Sequence, residues 1–317
     1  MDVNTLGPVK DTNQTYGETL AELGRTHPEI VAIEADLMKA SGGGAFRDAF
    51  PDRMFNVGIA EQDALGFAAG FAAMGRTPFV TSFACFAAQR ACDQAVNSIA
   101  YNSFNVKVIG TYAGLTSEKN GGTHISVSDL AIYRAIPRFT VIDPGDANEF
   151  AAALRFAAES RGPVYIRSNK GKYPTFQPEG CTFTPGKATV LSDGEDVGLV
   201  TCGVATLEGI KAVGRLREQG IGVRHIHMPS IKPIDAEELV RTASRTRMLV
   251  TVENHSVIGG LGGAVLEALA ETHPTKVVRL GLQDHFGETA TLGYMMRRYG
   301  LDADRICACI EDHLKKG

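Results

Sequence analysis

The sequence predicts an α/β protein of two domains, each a mostly parallel sheet with helices on both faces. Three observations carry this. Short apolar runs of strand type alternate with segments whose apolar residues recur at helical spacing, the pattern of parallel strands joined by crossover helices. The length, 317 residues, exceeds what one hydrophobic core usually fills. A stretch rich in Pro, Gly and Lys interrupts the alternation near the middle, and the alternation then restarts.

Taken in order, Tyr16 to Thr26 has helical apolar spacing and Pro28 ends it. Ile30 to Ile33 reads as a short buried strand. Ala60 to Met74 is a small-residue helix closed near Gly75, followed by the strand Pro78 to Thr81. A helix from Arg90 to Ala100 leads to the strand Val106 to Ile109. Thr140 to Ile142 is a strand that stops at Asp143-Pro144-Gly145, before a helix from Ala147 to Glu159 and a strand from Pro163 to Ile166. After the break come strands at Val197 to Thr201, Val223 to Ile226, Met248 to Val252 and Val277 to Leu280. Helices at Thr206 to Gln219, Ala236 to Ser244 and Gly262 to Thr272 alternate with them. The predicted division is a first domain over 1–172, a linker over 173–190 and a second domain over 191–317.

The composition is that of an ordinary globular chain, 44% hydrophobic and 21% charged. A net charge of −4 argues against a general binder of nucleic acid or anionic membrane. The six cysteines lack zinc-site spacing and have mostly apolar neighbours, which suits free thiols in a reducing cytosol. The first residues carry no apolar signal region and no stretch has the length of a membrane span, so a cytoplasmic location is expected.

Three segments of the first domain fall where ligands bind in open α/β sheets, beyond the carboxyl ends of strands. Phe55-Asn56-Val57-Gly58-Ile59-Ala60-Glu61-Gln62-Asp63 puts Glu61 at the start of a helix, where a carboxylate also simply favours the helix dipole. Thr81 to Arg90 carries Phe83 and Phe86, an aromatic wall for a flat ring or a piece of packed core. Gly114 to His124 is a polar, Gly-containing loop ending in a histidine, which is either functional or a surface residue.

Together, the run Phe-Asn-Val-Gly-Ile-Ala-Glu-Gln, then Phe-x-x-Phe, then Gly121-Gly122-Thr123-His124 resembles the pyrimidine-binding domain of transketolases. Asp143 to Glu149 and Gly162 to Arg167 continue the likeness. The second domain resembles the transketolase carboxy-terminal domain, most clearly over Val252-Glu253-Asn254-His255-Ser256-Val257-Ile258-Gly259-Gly260-Leu261-Gly262. The resemblance spans essentially the whole chain. It implies a thiamine diphosphate enzyme in which a glutamate, here Glu61, bonds the aminopyrimidine ring and helps form the reactive carbon. Glu61 is then expected to be a buried carboxyl of raised proton affinity among small residues. Phe83 and Phe86 match aromatics that pack on the pyrimidine, Asp36 an acid near the cofactor and subunit junction, and His124 a histidine facing the donor's oxygens.

The family holds the cofactor's diphosphate through a magnesium ion bound by a Gly-Asp-Gly segment and a later Asn. Gly-Asp-Gly does not occur here, so no metal ligand is expected on this chain. The resemblance therefore implies a split transketolase: a partner subunit supplies the diphosphate and Mg2+ site, in an assembly with two copies of each chain. Four substrate positions depart from the family pattern. Tyr112 stands for a histidine, Asn120 for an aspartate, Lys170 for an arginine and, by a looser alignment, Gln14 for an arginine; Ile125 also replaces the usual glutamine. Arg and Lys are not equivalent at a phosphate, so the expected donor lies outside the ordinary pentose phosphates, with apulose 4-phosphate or a sulfonated sugar as candidates. The beta subunit of a 2-oxo acid dehydrogenase and a non-catalytic regulatory or scaffold protein are the competing readings.

Overall fold

The computed structural model describes residues 1 and 3–316; Asp2 and Gly317, which the predicted domain bounds include, lie outside the described residues. The first half runs β1 (Val9–Asp11), α1 (Thr12–Thr26), β2 (Ile30–Glu34), α2 (Met38–Ser41), α3 (Gly44–Ala49), β3 (Met54–Asn56), α4 (Glu61–Ala73), β4 (Thr77–Phe83) and β5 (Lys107–Thr111). It continues with α5 (Asp129–Ala135), β6 (Thr140–Ile142), α6 (Ala147–Glu159), β7 (Val164–Ser168) and β8 (Lys172–Pro174). The second half contains β9 (Thr189–Ser192), β10 (Val197–Thr201), α7 (Ala205–Glu218), β11 (Val223–His227), β12 (Ser230–Lys232), α8 (Ala236–Arg245) and β13 (Leu249–Ser256). It ends with α9 (Leu261–Ala270), β14 (Val277–Leu282), α10 (Leu292–Arg298) and α11 (Ala303–Lys315).

A seven-stranded sheet has the order β12-β6-β7-β5-β4-β2-β3, and all its pairings are parallel except β12 with β6. Strand alternation sorts its side chains to two faces. Ile33, Val80, Val108, Val141 and Tyr165 face α4 and α5, whereas Ala32, Phe79, Ile109, Ile142 and Ile166 face α1, α3 and α6. A five-stranded sheet, β14-β13-β10-β11-β9, is parallel except at β9 and is likewise covered on both faces. The residues read as a linker carry strand at either end: Lys172–Pro174 pairs with β1, and Thr189–Ser192 pairs with β11.

Two features differ from the sequence reading. The helix expected from Arg90 to Ala100 is two π-helical segments, Phe86–Arg90 and Gln94–Ala100. Its polar residues recur in pairs every four positions, Gln89-Arg90, Asp93-Gln94 and Asn97-Ser98, a spacing that does not distinguish an α-helix from the wider winding. In addition, α10 and α11 extend the second half past the predicted last strand, with Thr291 and Asp302 accepting backbone N–H bonds as caps. All six cysteines are free, and among the described residues no helix is long and apolar enough to cross a membrane.

Candidate functional site

The strands β7, β5, β4, β2 and β3 lie consecutively and parallel, so their carboxyl ends share one edge. Lys170 follows β7, Tyr112 follows β5, Phe83 ends β4 with Phe86 just beyond, Asp36 follows β2, and Glu61 opens α4 after β3. Residues from scattered parts of the sequence therefore converge because the sheet is parallel. His124 reaches the same place on the loop that follows β5.

The aromatic residues form a connected floor. Ring centroids lie 6.0 Å apart for Phe83 and Phe86, and 4.8 Å apart for Phe83 and Tyr112. The His124 ring meets Phe83 edge-on at 5.8 Å and Phe86 at 5.1 Å. The Lys170 ammonium lies 5.0 Å from the Tyr112 ring centre, a cation–π distance. All these side chains are partly buried, as a ligand-binding wall requires.

Glu61 is buried, only 1% exposed, yet its neighbours are not all small and apolar. Arg90 Nη1 donates to Glu61 Oε2 at 2.7 Å, and the Arg90 guanidinium lies 4.1 Å over the Phe86 ring. Ser82 Oγ donates to Glu61 Oε1 at the long distance of 3.4 Å. One carboxylate oxygen is thus held by a cation and the other is nearly unengaged. Burial drives the Glu34 carboxyl upward, to about 8, with Ser41 Oγ at 2.6 Å opposing the rise. Its Oε2 has no hydrogen-bond partner among the described residues. Sequence reading missed both Arg90 and Glu34, since each acquires its role only through tertiary pairing.

Asn120 and Asp36 stand apart from the aromatic floor. Asn120 is exposed, donates to Ser117 Oγ at 3.2 Å and borders a cavity of about 710 Å3 with Gln89, Gly121, Gly122 and Phe286. Asp36 is exposed and exchanges bonds with Asn56: its N–H donates to Asn56 Oδ1 at 3.0 Å, and Asn56 Nδ2 donates to its Oδ1 at 3.2 Å. Gln14 lies on the outer face of α1 and donates to Glu18 at 2.7 Å.

The loop carrying His124 is braced by the second half of the chain. Leu115 N–H donates to Asn254 Oδ1 at 2.8 Å and Asn254 Nδ2 donates to the Ala113 carbonyl at 3.2 Å. A Cβ on Gly114, whose φ is +55°, would lie 2.4 Å from the Asn254 carbonyl. Glu118 Oε1 accepts from Leu292 N at the start of α10, and its Oε2 lies 3.5 Å from Lys170 Nζ. The Glu253-Asn254-His255 segment thus stabilises this loop through Asn254. Glu253 serves differently: it accepts the backbone N–H groups of Leu261 and Gly262 at the start of α9.

The model of the transketolase pyrimidine binding domain matches residues 9–175, and that of the transketolase C-terminal domain matches residues 186–306. A 6-deoxy-6-sulfo-D-fructose transketolase subunit of Clostridium sp. strain MSTE9 is 42% identical over 292 residues, covering 92% of this chain and 91% of that protein. An apulose-4-phosphate transketolase subunit of Phocaeicola vulgatus is 34% identical over 304 residues, covering 96% of this chain and 97% of that protein. A solved structure described as a split gene transketolase, inactive β4 tetramer, superposes with a TM-score of 0.89 at 43% identity, covering 96% of this chain and 98% of that one.

Proposed function

We propose, because this chain belongs to the transketolase family, that it is the pyrimidine-binding subunit of a split ketol transferase dependent on thiamine diphosphate. The observation that carries the reading is the buried Glu61, bonded by the Arg90 that lies over the Phe86 ring, with His124 meeting Phe83 and Phe86 edge-on. When bound, the cofactor supplies the nucleophilic carbon and electron sink that the protein lacks. The residues present fit it. Arg90 occupies Glu61 Oε2, which leaves Oε1, with its one long contact to Ser82, free to bond a ring nitrogen. Phe83 and Phe86 offer ring faces for a flat heterocycle. His124 holds a sugar hydroxyl and takes or returns its proton. Asp36 lies at the same sheet edge and contributes through Asn56 to the rim of the site.

A partner polypeptide carries the diphosphate and magnesium site, and the active assembly holds two of each subunit. The solved relative described as an inactive β4 tetramer supports this reading: there the corresponding chain assembles without activity. The donor is not an ordinary pentose phosphate. Tyr112, Asn120 and Lys170 replace family residues, and two similar proteins are named for a sulfonated ketose and for apulose 4-phosphate. If xylulose 5-phosphate with ribose 5-phosphate proves the best pair by ~10-fold in kcat/KM, this part is wrong.

The test is co-purification with the partner subunit, followed by a donor and acceptor screen. Glu61→Gln should lower kcat by at least ~100-fold, the scale of a lost general acid–base group, with the complex still assembled. Undiminished turnover in that variant overturns the assignment.

A further inference from the structure

We propose that Glu118 is a specificity-determining residue, which biases the site toward donors whose distal end is neutral or singly charged and against a phosphate dianion. This rests on the ketol-transfer reading. Three observations carry it. First, Glu118 has φ 52° and ψ −118°, a backbone conformation that glycine adopts freely and an L side chain adopts under strain. A carboxylate held there at that cost belongs with function. Second, its side chain is fixed from the second half of the chain by Leu292 N, so the carboxylate has a set position. Third, that position is 3.5 Å from Lys170 Nζ, the cation that lies on the Tyr112 ring at the end of the aromatic floor away from His124.

Lys170 replaces the arginine that the family uses on sugar phosphates, and here its charge is already matched. Glu118 and Lys170 are each about one-third exposed, so a substrate can reach both. A phosphate monoester carries close to two negative charges above its second ionisation, near pH 6. Placed at Lys170, it meets one neutralised cation and one carboxylate. A hydroxyl can accept from Lys170 and donate to Glu118. A sulfonate brings a single charge at any working pH and meets half the repulsion.

The experiment uses the reconstituted complex of this chain with its partner subunit. Donors are a ketohexose ending in a 6-sulfonate and the same ketohexose ending in a 6-phosphate. The wild-type complex should favour the sulfonate by ~10-fold or more in kcat/KM at about pH 7.5, narrowing at about pH 5.5 as the phosphate takes up a proton. Glu118→Gln keeps an acceptor for Leu292 N and removes the charge. It should raise kcat/KM for the phosphate by ~10-fold more than for the sulfonate and flatten the pH dependence of their ratio. If that variant does not assemble, Glu118→Gly, suited to the positive φ, must produce the same change. A ratio and pH profile equal to wild type in the variants overturns the role of Glu118 while ketol transfer stands. Absence of turnover with any ketose donor in the wild-type complex overturns ketol transfer itself.

Discussion

Single residues divide into those whose sequence surroundings announced them and those made by a neighbour. Glu61, Phe83, Phe86 and His124 sit in runs whose order alone pointed to them, and the parallel sheet brings them to one edge. Glu34 was invisible in that way, because its partner Ser41 is seven residues on and its burial comes from strands β3 and β4 on either side. Burial raises Glu34 from its ordinary 4.5 to about 8. The folded protein therefore keeps a proton that the unfolded chain gives up between these values. Stability from this group is fully present below pH 4.5 and is lost as the pH rises toward 8. Glu34→Gln keeps the bond from Ser41 and removes the titration. Its melting temperature should rise relative to wild type as the pH increases across that window, with a gain of about 1–3 kcal/mol at the alkaline end. Identical melting profiles from pH 4.5 to 8 would exclude Glu34 as the titrating group.

At the level of elements, the regular strands and long helices of both halves were legible because their apolar spacing is strong. The loop from Ala113 to Val127 was legible only as a polar stretch. Its shape depends on Asn254, 139 residues beyond Leu115, on the Ala113–Ser126 bridge, and on Ser256 N–H, which donates to the Val127 carbonyl at 3.0 Å. No local pattern encodes bonds of that range. Asn254→Ala leaves the Leu115 N–H and the Ala113 carbonyl buried without their partners. The expected cost is about 1–3 kcal/mol. The loop should exchange its amide hydrogens faster, and KM for the sugar should rise more than kcat falls. Unchanged exchange over 113–127 would show that the loop holds its own shape.

Over the whole molecule, the two halves are joined by a fully buried charge. Arg167 is 0% exposed and donates to Asp129 Oδ2 at 2.7 Å and Oδ1 at 2.8 Å, to Asp143 at 3.3 Å and to the Asn254 carbonyl at 3.1 Å. Arg167 holds the Asp129 carboxyl well below the usual range against the effect of burial. Burial pushes Asp143 up, with Arg167 opposing. Arg167→Met should destabilise by about 3–5 kcal/mol, because it strands two buried carboxyl groups. Arg167→Lys should recover little, since an ammonium cannot make the planar two-pronged bond to Asp129. Urea unfolding measures both, and a midpoint equal to wild type in Arg167→Met would mean that the cluster contributes nothing net. The alternation of strands and helices foretold two sheets. It did not foretell their shared core, in which Val200, Ile226 and Leu261 pack continuously with residues of the first half.

Strand β12 comes from the second half of the chain but completes the first sheet, pairing antiparallel with β6. A gene broken between the two family domains would therefore yield one product with a bare sheet edge and another with an orphan strand. Such an edge invites pairing with other chains.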